Sequence, residues 1–324
     1  MAGAAGPIRL RQTALALLVA LILLGRPAGA GAGAPEQAQE RAREQALELA
    51  NEDRARNGLP PLRLSARLNG VAQAHAEAMA RRGFFGHADP EGRTADDRFR
   101  AAGGSPWLLV GENLAMCEGC AGAAPATRIG RLQAGWMASA DHRRNLLGAG
   151  FDRFGFGLVQ AGDRLHAVQV FAGPGEPLST GAEGAAPARP VPPGIAADLV
   201  RQRINAARVA AGLAPLAPAA DLDRAAESLL PAPGEALALP PGDARDALPA
   251  AGRAGWAGLA VLVAGCQGCG AAVTDADLEA FAARWLAQSG GSNLLRPDFT
   301  HLGSAAASPD PGRKAAVLVA GRRY

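Results

Sequence analysis

Three short segments of the chain carry polar side chains that a hydrophobic core has no use for. They are Phe84-Phe85-Gly86-His87, Gly111-Glu112-Asn113-Leu114, and the run from Trp136 to Leu147, which holds Ser139, Asp141, His142 and Asn145. Histidine, glutamate and serine are the side chains of proton transfer, nucleophilic hydrolysis and metal ligation. Ser139 and His142, with Glu112 as orienter, can be drawn as a hydrolytic triad. No Gly-x-Ser-x-Gly nucleophile elbow accompanies them, so the trio has no local support. Two further histidines read as packing residues. His75 lies on the apolar face of a helix, and His166 alternates with Val168 and Val170 along a strand.

Cysteine supplies the second chemistry. Cys117-Glu118-Gly119-Cys120 and Cys266-Gln267-Gly268-Cys269 are both Cys-x-Gly-Cys. In an exported chain the first reading is a local disulfide in each pair, stapling a short loop. The second is one structural zinc held by all four thiolates. A thioredoxin-like redox role is the third, and no βαβ context surrounds either pair.

The cysteines also expose an internal repeat. Trp107, Cys117, Cys120 and Trp136 recur as Trp256, Cys266, Cys269 and Trp285, each 149 positions later (256−107). Rare residues in one register mark two copies of one module. Asn205, Arg208, Leu216 and Leu222 match Asn51, Arg54, Leu62 and Leu68 at an offset of 154 (205−51). Asn293, Leu294 and Gly303 match Asn145, Leu146 and Gly155 at 148 (293−145). The second copy has therefore lost residues, and the loop from Phe84 to Ala102 is where a deletion is most easily absorbed. Its polar residues are also lost. Glu112 becomes Val261, Ser139 becomes Gln288, His142 becomes Gly290 or Gly291, and no histidine occurs between Gln202 and Phe299. The first copy carries the chemistry, and the second reads as scaffold or interaction surface. His301 matches Arg153 and is expected at the surface.

Helices and a short sheet must position these groups. Good helix formers fill Glu36 to Asn57, and Gly58, Pro60 and Pro61 end that helix. Ser65 is an N-cap for a second helix to Arg82, with Leu68, Ala72, His75, Ala76 and Met79 on one face and Gly83 as its stop. A third helix is expected from Pro125 to Ser139. Phe154 to Gln160 and Leu165 to Phe171 read as a hairpin turning at Gly162-Asp163. Helices followed by an antiparallel sheet indicate an α+β domain.

Arg9 and Arg11, the apolar run from Thr13 to Leu24 and Ala28-Gly29-Ala30 describe a secretory signal peptide over residues 1–30, cleaved after Ala30 or, alternatively, Ala34. No later stretch is long and apolar enough to span a membrane. Residues 36–173 form the first domain, 174–194 a Pro/Gly/Ala-rich linker and 195–324 the degenerate second domain. The 33 Lys and Arg exceed the 30 Asp and Glu only slightly, which gives no footprint for nucleic acid. The expected location is secreted or periplasmic.

The first copy resembles the CAP superfamily of cysteine-rich secretory, antigen 5 and pathogenesis-related proteins, in particular its bacterial secreted members. The resemblance rests on His87-Ala88-Asp89-Pro90-Glu91-Gly92, on Gly111-Glu112-Asn113, and on Trp136 through Asn145, which contains Trp-x-x-Ser-x-x-His-Arg-x-Asn. It implies a three-layer α-β-α sandwich, here in two tandem copies, with a cleft lined by His87, Glu112, Asn113, Ser139 and His142. Ser139 stands where the eukaryotic pattern has a second acid, which leaves the acidic pair incomplete. Two neutral imidazoles, His87 and His142, make an open site for a divalent metal such as zinc. The alternative is a hydrogen-bonded cluster that orders the cleft loops. The expected function is a binding or scaffold protein of the cell envelope or extracellular space, taking a small lipid-like or peptide ligand. A metal-assisted hydrolase using Glu112 and His142 is the competing class, and a purely structural pair of modules is the third.

Overall fold

A computed structural model describes residues 34–120, 125–178, 187–239, 243–248, 250–288 and 293–324. The signal peptide lies outside the described residues, as do residues 179–186 of the linker. The first copy runs α1 (Ala34–Arg56), β1 (Arg63–Leu64), α2 (Ala66–Arg82), α3 (Ala95–Ala101), β2 (Leu109–Glu118), α4 (Pro125–Ala138), α5 (Ala140–Leu146), β3 (Arg153–Ala161) and β4 (Arg164–Gly173). The second runs α6 (Pro193–Ala210), β5 (Ala217–Pro218), α7 (Ala220–Ser228), β6 (Trp256–Gln267), α8 (Asp275–Leu286), β7 (His301–Asp310) and β8 (Arg313–Arg323). The sheets have the same order, β1-β3-β4-β2 and β5-β7-β8-β6, parallel only where the two-residue strand joins.

Strand alternation sends one set of side chains to each face of the sheet, and both faces are covered. Phe154, Phe156 and Phe171 pack with Ala46 and Ala50 of α1 and Ile129 and Trp136 of α4. Val168, Val170 and Leu114 pack with Leu68, Ala72 and Met79 of α2 and Phe99 of α3. The result is a three-layer α-β-α sandwich, repeated by α6 and α8 on one face of the second sheet and α7 on the other. Gly155 and Gly303 sit where any Cβ would enter the backbone of α2 or α7, so the closest helix–sheet approach recurs at matched glycines.

Local signals set most boundaries. Ser65 caps α2 by accepting from the Leu68 amide, and Gly83 closes it in the left-handed conformation at φ 69°. The expected helix to Ser139 ends one residue earlier, and Ser139 instead starts α5 as its N-cap. The linker expected through Gly194 stops sooner, because Pro193 at the first turn of α6 already has the helical φ. His301 is half-buried rather than at the surface, with its ring edge-on to Trp256 at 5.3 Å.

A buried arginine locks each copy. The Arg54 guanidinium donates to the carbonyls of Pro60, Leu146, Gly148 and Phe151, closing α1 onto the loops around α5. Arg208 donates to Ala214, Leu294, Arg296 and Phe299, the matched positions. Asn51 and Asn205 likewise make reciprocal bonds to the backbone of Leu62 and Leu216.

The cysteines form two local disulfides, Cys117–Cys120 and Cys266–Cys269, so the four thiols are not a zinc set. The second staple holds a loop that meets the first copy. The Gly268 amide donates to the Trp107 carbonyl at 3.2 Å, and that of Gly270 to Pro174 at 2.8 Å. The Arg313 guanidinium lies 4.2 Å over the Trp107 ring. The copies thus meet end to end.

Candidate functional site

The cleft is assembled from a loop, a strand and a short helix. The loop before His87 is held from below, where His75 Nε2 bonds the Gly86 carbonyl at 2.9 Å. Buried Asp89 then accepts from the amides of Glu91 and Arg93 and from the Arg93 side chain, and Glu91 pairs with Arg82 of α2. A loop with this many internal bonds presents His87 in one place. Thr94 and Asp97 form a capping box that starts α3, and α3 delivers Arg98.

Glu112 on β2 is 6% exposed and both of its carboxylate oxygens are engaged. His87 Nδ1–H donates to Oε1 at 2.9 Å, and Arg98 donates to Oε2 at 2.7 Å. Arg98 also donates to the carbonyls of His87 and Arg93. The bond to Glu112 raises the His87 pKa, with burial and Arg98 opposing it. His142 goes the other way, lowered by burial and then by the charge of His87. That coupling places the two imidazoles in one electrostatic neighbourhood. Glu112 orients His87 rather than His142, so the Ser139–His142–Glu112 triad is not assembled. Ser139 is half-buried and its side chain makes no capping bond.

Beneath these groups runs a chain of polar side chains in which sequence reasoning names Asn113 and Asn145 but misses Gln169, Gln133 and Asp53. Asn113, fully buried, donates to the His142 carbonyl and to Gln169 Oε1, both at 3.1 Å. Its own oxygen accepts from Asn145, which also donates to the Glu112 carbonyl. Gln169 donates to Gln133 at 2.9 Å, and Gln133 to Asp53 at 2.6 Å. Five side chains from α1 to α5 therefore fix the backbone that carries Glu112 and His142. Gln133 carried a readable signal, being a polar residue between Ile129 and Trp136 on the buried face of α4. Arg98 carried none.

Among the described residues no group of three or more His, Cys, Asp or Glu is arranged to hold a metal ion. The donors present are two imidazoles. With Nδ1–H on Glu112, neutral His87 keeps its lone pair on Nε2, the tautomer in which a carboxylate supports a metal-binding histidine from behind. For His142 it is burial that favours the neutral form. The donors the cleft offers a divalent ion are therefore the two imidazoles, with the Glu112 carboxylate turned to His87 Nδ1 and Arg98.

Residues 47–171 match the CAP family, described as the cysteine-rich secretory protein family. The CAP match takes in all of the cleft and none of the second copy, whose likeness to the first rests on strand order and repeated contacts. An uncharacterized Bacillus subtilis protein, YkwD, is 30% identical over 116 residues, which is 36% of this chain and 42% of that protein. This chain thus spans about two fifths of that curated relative's length. An extracellular protein containing an SCP domain from Bacillus anthracis is 30% identical, covering 41% of this chain and 40% of its own, with a TM-score of 0.34. An outer surface protein from Borrelia burgdorferi is 19% identical over 43% and 93% of the two chains, TM-score 0.34. Na-ASP-1 is 9% identical over 90% of each chain, TM-score 0.35.

Proposed function

We propose that the chain is an exported binding module whose working surface is the first-copy cleft around His87, Glu112, Asn113, Ser139 and His142. The observation that carries this reading is the double engagement of Glu112. A carboxylate paired with both Arg98 and His87 is held by those partners, which supports an orienting role over that of the base a hydrolase reading requires. It is well placed to hold an imidazole in one orientation and tautomer. His87 and His142 are the residues that would hold a divalent ion such as zinc, and bound zinc would supply a Lewis-acid contact for a ligand donor atom. A small lipid-like or peptide ligand is the partner class such an open cleft suits. Export is supported by the N-terminal sequence pattern, by the two disulfides and by the absence of any described helix long and apolar enough to cross a membrane.

Elemental analysis of untagged mature protein tests the reading. Near-stoichiometric zinc that disappears in both His87→Ala and His142→Ala supports the two-imidazole site. Protein that turns over peptide or ester substrates, with activity abolished in Glu112→Gln, contradicts the binding module in favour of the hydrolase.

A further inference from the structure

The two copies treat one sheet edge differently. In the first, α2 is 17 residues long and its side-chain amides cap outward N–H groups of β3. Asn69 accepts from the Phe156 amide at 3.0 Å and Gln73 from that of Leu158 at 3.1 Å. In the second copy the matched positions are Asp223, Glu227, Ser304 and Ala306. Both amides have become acids, and both bulky strand residues have become small ones. Asp223 still caps the Ser304 amide at 3.0 Å. The covering helix α7 is only 9 residues long. What opens is a groove of about 610 Å³ between α6, α7 and β7, with Val191, Leu230 and Val273 in its walls and Asp223, Glu227 and Ser304 in its lining.

Three features of this groove point to an occupant. Ser304 is 3% exposed and its hydroxyl has no hydrogen-bond partner, an orphan that a ligand would satisfy. Neither Asp223 nor Glu227 has an ion-pair partner among the described residues, and nearby Arg201 is already paired with Asp198. Burial raises the Asp223 pKa, the mark of a carboxylate short of counter-charge.

We propose that this groove binds an amphipathic cation, an ammonium or guanidinium group on an extended apolar stem. Asp223 and Glu227 take the charge, the Ser304 hydroxyl contributes an acceptor, and the stem lies along Val191, Leu230 and Val273. The same chemistry is carried by a free alkylamine or by a lysine side chain of a polypeptide.

Calorimetric titration of the mature full-length protein tests this with octylammonium chloride, sodium octanoate and the peptide acetyl-Leu-Lys-Leu-Lys-amide. The expected result is binding by both cations and none by octanoate. The double variant Asp223→Asn/Glu227→Gln, which installs the first-copy residues and retains the backbone cap, should weaken cation binding about tenfold or more with an unchanged unfolding midpoint. Ser304→Phe, again the first-copy residue, should fill the groove and abolish it. Tighter binding of the peptide assigns a polypeptide source, and tighter binding of octylammonium a free amine. Octanoate binding as tightly as octylammonium, undiminished affinity in the double variant, or no binding by either cation overturns the proposal.

Discussion

Beneath β2, Asn113, Gln169, Gln133 and Asp53 pass hydrogen bonds from the cleft to α1. Beneath β6 the matched positions are Leu262, Leu318, Ala282 and Ala207, and the first three belong to an apolar core. The outer frame is nonetheless the same, down to a buried arginine that donates to four carbonyls in each copy. The frame therefore does not require the polar interior. Asn113, Gln169 and Gln133 stand where a cleft must be held in position, and apolar residues replace them where that cleft is lost. Burying amides is tolerable only when each is partnered, so the first copy keeps the whole chain, and the second keeps only Asn293, the match of Asn145, whose oxygen accepts from the Leu295 amide.

The comparison can be broken most severely at the shared arginines. Arg54→Ala and Arg208→Ala each leave several buried carbonyls without donors, and each should lower stability by about 4 kcal/mol in urea unfolding of the full chain. A large loss in one copy alone would mean that the frame is not shared. Arg98→Ala comes next, because it leaves the buried Glu112 carboxylate with His87 alone. A loss of about 3 kcal/mol is expected, with the first copy affected and the second untouched.

Asn113→Leu places a second-copy residue in a first-copy network and strands Asn145 and Gln169, at about 2 kcal/mol. Adding Gln169→Leu, Gln133→Ala and Asp53→Ala should recover much of that loss, since a matched apolar set replaces a broken polar one. Zinc binding should not recover with it. If the four-fold variant binds zinc like wild type, the network does not position the cleft. Replacing Cys117 and Cys120 by Ser is the mildest change, about 2 kcal/mol for so short a loop, and should leave the cleft intact. The same replacement at Cys266 and Cys269 should also loosen the contact with Trp107, read as a change in Trp fluorescence.

Acidity separates the two imidazoles. His87 has a raised pKa, so its protonated pairing with Glu112 adds stability that is present below the unfolded histidine value and fades as pH rises through the folded one. His142 has a lowered pKa, so its contribution is present above the unfolded value and is lost as pH falls through the folded one. A metal competes with protons for both rings. At a fixed zinc concentration the pH midpoint for zinc binding should therefore fall in Glu112→Gln, where the main cause of the raised His87 value is gone.

Much of this was readable from the chain. Trp and Cys spacing gave the repeat, Ser65 and Gly83 the limits of α2, and the Gly-Glu-Asn segment the central motif of the cleft. The linkages among site residues were not. Arg98 lies 14 positions before Glu112 and is one of many arginines, and only the placement of α3 makes it the carboxylate's partner. Gln169 sits among valines on β4, where alternation gives its face but not its contact with Gln133. Helix α5 escaped because it is a 7-residue element that follows α4 after a break at Ser139. Periodicity is too weak a guide over so short a span.

The central claim is that a Glu112-held His87 and His142 form one binding site in the first copy. Titrating zinc into mature protein while following the histidine ring resonances by NMR tests it most directly. The account predicts that His87 and His142 shift together at the same zinc concentration while His75, His166 and His301 stay fixed. Zinc-dependent shifts confined to the other three, or no shift in His87 and His142 at saturating zinc, would contradict it.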